Sequence, residues 1–444
     1  MRSADRPGAW WHLLLCGLLA LQSASVLAAQ SPVPPAPEPP ARTGEPGSDL
    51  TVYLMTMGPG RLVYERFGHN AIWIHDPTAG TDQAYNYGLF DFQQENFLVR
   101  FIQGQMWYWM QGFPAERYLS SYLRDNRSVW IQELALSPSA RLELQKFLRW
   151  NEQPENRFYH YDYYRDNCST RVRDALDRVL GGRIEARTDS VATGTTYRFH
   201  TQRLTANDPL VFTGLLLALG ERVDQPISAW EEMFLPLKLR EHVREVMIPG
   251  PGGGPVPLVR SERTLYRSTA EPPPDSPPHW MGRYLLLGTL IGGLVVVLAS
   301  YGRRNRAARF GFGALVGGWG MLAGSLGLVL AGLWGLTDHV MAYANENLFQ
   351  VNPLALALCL LLPGALRGSS GAQRGAAGAA LALLALSVIG ALVNLLPGFG
   401  QANGEIIALA LPIHAGVAAA LVQLSAVSVL VEGLPSLRRT QETR

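Results

Sequence analysis

Tyr161-Asp162-Tyr163-Tyr164-Arg165-Asp166-Asn167-Cys168-Ser169-Thr170-Arg171 is the stretch on which the reading of the fold turns. Asp166 and Asn167 are good helix N-caps and Gly181-Gly182 a good stop, so the spacing predicts a helix over 168–180 that opens on Cys168. Unpaired backbone N–H groups and the positive end of the helix dipole favour an anion there. That placement lowers a thiol pKa toward the nucleophilic thiolate, and the same N–H groups suit an oxyanion on an attacked carbonyl. The chain has three cysteines. Cys16 and Cys359 lie in apolar stretches at either end, so Cys168 has no intramolecular disulfide partner in the polar part of the chain. The bland alternative is a buried small hydrophobe, the commoner fate of a cysteine.

Outward from that helix, β-formers dominate upstream. Residues 49–57, 69–75, 84–92, 106–110 and 129–134 read as strands. Downstream, residues 137–150, 210–219 and 236–247 carry helical patterns, which makes the domain α+β. A nucleophilic cysteine needs a base, usually histidine, and the domain offers His69, His75, His160, His200 and His242. His69 and His75 share a strand face at opposite ends, and His160 sits in the aromatic run 158–164. The residues alone leave His69 and His160 as alternatives. Gly-x-Ser-x-Gly, His-Glu-x-x-His, a phosphate loop and Cys-x-x-Cys are all absent, so no metal or cofactor is called. A net charge of +2 gives no global basic field for nucleic acid. Trp107-Tyr108-Trp109 reads as packing or, if exposed, as a dip into the lipid interface.

The ends of the chain speak of a membrane. Arg2 and Arg6, an apolar run over 11–27 and Ala28-Ala29 read as a cleaved export signal over 1–29, followed by a Pro-rich linker over 30–48. A Pro/Gly-rich linker over 251–280 leads to five apolar stretches near 284–300, 309–336, 353–366, 375–396 and 406–432, and then a tail over 436–444. Arg303, Arg304, Arg306, Arg309, Arg367, Arg374, Arg438, Arg439 and Arg444 mark the cytoplasmic side by the positive-inside rule. The domain over 49–250 then lies outside, on the side of two loops lacking Lys and Arg. One of these, with Asp338, His339, Asn345, Glu346 and Asn347, is read either as a solvated loop or as a substrate-binding one.

Tyr64-Glu65-Arg66-Phe67-Gly68-His69-Asn70-Ala71-Ile72, Tyr85-Asn86-Tyr87-Gly88-Leu89-Phe90-Asp91-Phe92 and the cysteine stretch together resemble the signature of the Lnb N-terminal periplasmic domain family over about residues 50–250, and the 337–352 loop resembles the membrane part of such proteins. The resemblance implies a permuted papain-like, NlpC/P60-type periplasmic domain followed by an all-α transmembrane bundle in a bacterial inner membrane. It implies Cys168 as nucleophile and His69 as base, with Asn86, or second Asp91, orienting the histidine. The activity it implies is a cysteine-dependent acyltransferase moving an acyl chain from phospholipid to the N-terminus of a lipoprotein through a thioester. Asp338, His339, Asn345 and Asn347 would then bind substrate. The rivals are a peptidoglycan amidase or endopeptidase and a non-catalytic membrane scaffold.

Overall fold

The computed structural model describes residues 44–432 except 92, 94 and 251. The stretch read as an export signal, most of the first linker and the tail, with Cys16, Arg438, Arg439 and Arg444, lie outside the described residues. The fold below is that of the compact unit from Pro46 onward.

Seven strands form one sheet: β1 (Thr51–Met57), β2 (His69–Asp76), β3 (Thr81–Leu89), β4 (Trp107–Pro114), β5 (Val129–Leu134), β6 (Phe158–His160) and β7 (Val259–Tyr266). Their order is β7-β5-β1-β2-β3-β4-β6, with every neighbouring pair antiparallel. Alternation along the strands gives the sheet two apolar faces. One face packs Val52, Leu54, Ile72, Ile74 and Tyr87 against Leu144 and Leu148 of helix Pro138–Asn151 and Val172 and Leu176 of helix Cys168–Val179. The other packs Met55, Met57, Ala71 and Ala84 under Ala115 and Tyr118 of helix Ala115–Arg124.

Three features differ from the sequence reading. β3 starts at Thr81 and ends at Leu89, because Gly88 adopts φ +96° and shifts the β3–β4 register between Asn86 and Leu89. Helices Ala115–Arg124 and Tyr197–Thr205 appear where no helix was read. β7 falls within the stretch read as a linker, and it completes the sheet by pairing with β5.

Among the described residues, five helices are long and apolar enough to cross a membrane: Met281–Gly302, Arg306–Leu336, Glu346–Leu366, Ser370–Val393 and Gly404–Ala426. They fit a multi-pass membrane protein. The third, short in sequence, gains length from one-turn helices Glu346–Phe349 and Pro353–Ala355 ahead of Leu356–Leu366. The first and fifth approach backbone to backbone: a Cβ on Gly292 would fall 2.3 Å from the Pro412 carbonyl oxygen, and one on Gly416 2.3 Å from that of Gly292.

The sheet domain meets the bundle through helix Pro209–Ala218. Its Phe212 and Leu216 are buried with Ile406, and Phe212 packs on Trp280 at 4.8 Å between ring centroids. The carbonyls that end this helix have no further helical N–H to pair with, and side chains supply donors, Arg198 reaching Leu216 O (3.4 Å) and Leu219 O (3.0 Å). Asn345 donates to Leu217 O (2.7 Å) and Ala218 O (3.1 Å), Asn347 to Leu216 O (3.0 Å) and Leu217 O (3.1 Å), and Gln401 to Leu219 O (3.1 Å).

Candidate active site

The cysteine helix begins where the sequence placed it. Asn167 caps it, its Oδ1 accepting from Ser169 N (2.8 Å) and Thr170 N (3.0 Å), while Thr170 Oγ1 accepts from Asn167 N (2.8 Å). The helix start is pinned to the histidine strand by buried Asn70. Ser169 Oγ lies 2.8 Å from Asn70 Oδ1 and 2.7 Å from the Met233 carbonyl oxygen, and Asn70 Nδ2 donates to Thr56 Oγ1 (2.9 Å). Cys168 and the histidine next to Asn70 are therefore held by the same few bonds.

His69 heads β2 and its Nε2 meets Asn86 Oδ1 at 2.5 Å. Asn86 is buried on β3 and pairs in register with Ala71. With Nε2 taken by an acceptor, the imidazole carries its proton there and Nδ1 is left as the basic nitrogen. Tyr122 stacks beside the ring, at 6.3 Å between centroids and 17° between planes. Gly88 shows how close the two reactive groups are: a Cβ there would sit 3.3 Å from Cys168 Cβ and 3.7 Å from His69 Cε1.

Electrostatics modify the sequence expectation. Burial pushes the Cys168 thiol up to about 11, against the opposing pull of the backbone N–H groups of Asn70, Ser169 and Cys168 and of the Arg127 guanidinium. The helix-start donors are present as expected, but desolvation outweighs them. Burial likewise lowers His69 to about 4, with the Asn86 bond pulling the other way and Arg127 adding to the fall. The resting pair is a neutral thiol beside a neutral imidazole.

Two residues that the sequence reading passed over belong to the site. Asn70 couples the two strand-helix elements as described. Tyr159 is buried, and its hydroxyl has no hydrogen-bond partner among the described residues and lies 3.9 Å from that same Cβ position over Gly88. An open donor beside a thiol could serve an oxyanion if that thiol attacks a carbonyl. The only sequence signal was the aromatic run over 158–164.

The other residues singled out from sequence lie apart from this cluster. His160 packs on Trp107 at 4.0 Å between centroids. Asp91 is exposed and its Oδ1 accepts from Gln93 N (2.8 Å), so Asn86 is the group on His69. Asp338 accepts from Gln105 Nε2 (2.9 Å), and its own N–H donates to Gln103 O (2.7 Å). His339 Nε2 donates to Phe101 O (2.9 Å). Asn345 and Asn347 hold the helix end already described. The polar loop thus spends these groups on seating the sheet domain, and its hydrogen bonds go to none of Cys168, His69 and Asn86.

No curated protein and no solved structure matches the chain significantly. The family model described as the Lnb N-terminal periplasmic domain matches residues 45–204, a span that takes in His69, Asn86 and Cys168. By that match residues 45–204 belong to the Lnb N-terminal periplasmic domain family.

Proposed function

We propose that this chain is a thiol-dependent acyltransferase working at the outer face of the membrane its helices cross. The observation that carries the proposal is the arrangement of Cys168 at a helix start, with the Asn70, Ser169 and Cys168 N–H groups around its sulfur, beside a histidine oriented by Asn86. The order His, Asn, Cys along the chain agrees with a permuted papain-like domain. His69 takes the thiol proton as the sulfur attacks the carbonyl carbon of a lipid acyl ester. Negative charge collects on the carbonyl oxygen, where the backbone N–H groups and the Tyr159 hydroxyl offer donors. The C–O bond breaks, His69 returns its proton to the departing alcohol, and a thioester remains on Cys168. An amine, the N-terminal cysteine of a diacylated lipoprotein, then attacks the thioester, and the thiol is restored as the amide forms. The donor in this reading is phospholipid.

The test is intact-mass analysis of the full chain in phospholipid micelles with deuterated acyl chains, beside Cys168→Ala. A hydroxylamine-labile gain of one deuterated chain, absent from the variant, is the expected outcome. A Cys168 inert to both lipid and small thiol probes would sink the reading in favour of a scaffold. A reactive Cys168 without a lipid adduct would point instead to hydrolysis of cell-wall peptides.

A further inference from the structure

We propose a second site, a phosphate-binding cavity beside the histidine strand. A cavity of about 1080 Å³ is lined by Arg61, Arg66, Arg124 and Arg203, and the connector over 270–274 forms part of its wall. Three carboxylates, Glu65, Asp125 and Glu271, stand against these four guanidinium groups, which leaves one net positive charge. Glu65 is already engaged, its Oε2 accepting from Leu62 N (3.1 Å) and its Oε1 lying 3.5 Å from Arg127 Nη1. The lining therefore has an excess of positive charge.

Arg66 supplies the second observation. It is 9 % exposed, and its Nη2 donates to Asp208 at 3.0 Å. Its Nε and Nη1 are buried with no acceptor among the described residues. A buried guanidinium with two unsatisfied nitrogens is costly, and each of them can donate to one oxygen of a phosphate group. A phosphate oxyanion in the cavity would take a bond from one of these nitrogens and offset the net positive charge of the lining.

The position fits such a ligand. Asp208, the partner of Arg66, caps helix Pro209–Ala218, which packs on the membrane bundle through Phe212 and Leu216. Leu210, two residues further on, is 83 % exposed. The cavity thus borders the junction of sheet domain and bundle, where head groups of the outer leaflet gather. Its ligand is a phosphate group, carried either by a lipid head or by free phosphate. The site stands on its own geometry whether or not Cys168 is acylated.

Full-length protein in neutral detergent micelles is titrated with dioctanoyl phosphatidylglycerol, and bound lipid is counted by native mass spectrometry. Dioctanoylglycerol serves as the phosphate-free probe. The expected result is one bound phosphatidylglycerol, no comparable binding of the diacylglycerol, and affinity about tenfold weaker in the exposed pair Arg61→Gln/Arg124→Gln. Arg66→Gln should weaken binding further. Since Arg66 also holds Asp208, the exposed pair carries the test if that variant does not fold. Displacement of the lipid by millimolar inorganic phosphate keeps the site and assigns it to the free ion, whereas resistance assigns it to the lipid head. Equal binding of the two lipid probes, or wild-type affinity in the exposed pair, overturns the proposal.

Discussion

At Cys168 two influences oppose each other, and their balance decides how the site is read from outside. Helix-start N–H groups favour the thiolate, but removal from water favours the thiol more strongly, and the sulfur rests protonated with a pKa near 11. Alkylation of Cys168 by iodoacetamide should therefore climb steadily with pH toward 11, without the plateau near neutrality that a preformed ion pair would give. His69 must be neutral to accept the proton, so acyl transfer should be lost only as pH falls through about 4. The same shift bears on stability. The folded pKa of His69 lies below the ordinary 6.5, so the unfolded chain takes up that proton first, and the contribution present above 6.5 is lost as pH falls from 6.5 toward 4. A urea titration at stepped pH would show it as a falling midpoint. Asn86→Ala frees the imidazole and should cut kcat/KM about tenfold to a hundredfold with the fold intact by circular dichroism. Tyr159→Phe removes one hydroxyl without changing packing, and a loss of about tenfold or more in kcat is expected if it meets the oxyanion. Unchanged kcat would remove Tyr159 from the site. The sequence showed Cys168 through its cap and its isolation. It left His69 and His160 as equals, because only the β4–β6 pairing shows that His160 stacks on Trp107 at the sheet edge. Tyr159 was illegible for a similar reason, since its direction depends on a strand of three residues.

Among the elements, helix Cys168–Val179 carries both the reactive atom and part of the core. Asn167 accepts from two helix N–H groups and donates to Tyr163 O (3.0 Å) and Phe234 O (3.1 Å). Asn167→Ala should lower stability by about 1–2 kcal/mol, and it should depress activity beyond that loss, because the helix start moves with its cap. Leu176→Ala opens space in the core away from the thiol, and about 2–5 kcal/mol of stability should go with little change in the chemistry of what remains folded. Comparing the two by denaturant titration and thiol labelling separates positioning from packing. Strands β2 and β5 and the capped helices were legible from alternation and caps, and β5 holds the same 129–134 bounds in the fold. β7 was not. Its run Val259–Tyr266 is charged on both faces, because it lies on an edge whose apolar contacts are few, and only its hydrogen bonds to β5 mark it as a strand. Helix Ala115–Arg124 was hidden by the preceding proline and by aromatics that read equally well as β-formers.

Across the whole molecule, the sheet domain is joined to the bundle by the connector after β7, by the bonds of Asp338 and His339 to Phe101, Gln103 and Gln105, and by the carbonyls of helix Pro209–Ala218 held by Asn345, Asn347 and Gln401. Replacing Asn345 and Asn347 together by Ala takes the side-chain donors from Leu217 O and Ala218 O, at a cost of about 1–3 kcal/mol each, while Leu216 O keeps Arg198. Faster hydrogen exchange is expected over 209–219, with the core around Leu176 unchanged. Exchange that stays slow in both regions would deny the seam its role. The spans were legible in composition, while the seating of one half on the other was not. It rests on polar atoms of a loop that, as sequence, looks solvated. On the proposed function these attachments would also act as a depth gauge. A thiol held at one height above the hydrocarbon surface meets only those esters whose carbonyl can rise to it, so a bilayer of different thickness or stiffness would change which molecules react without altering a single contact inside the site.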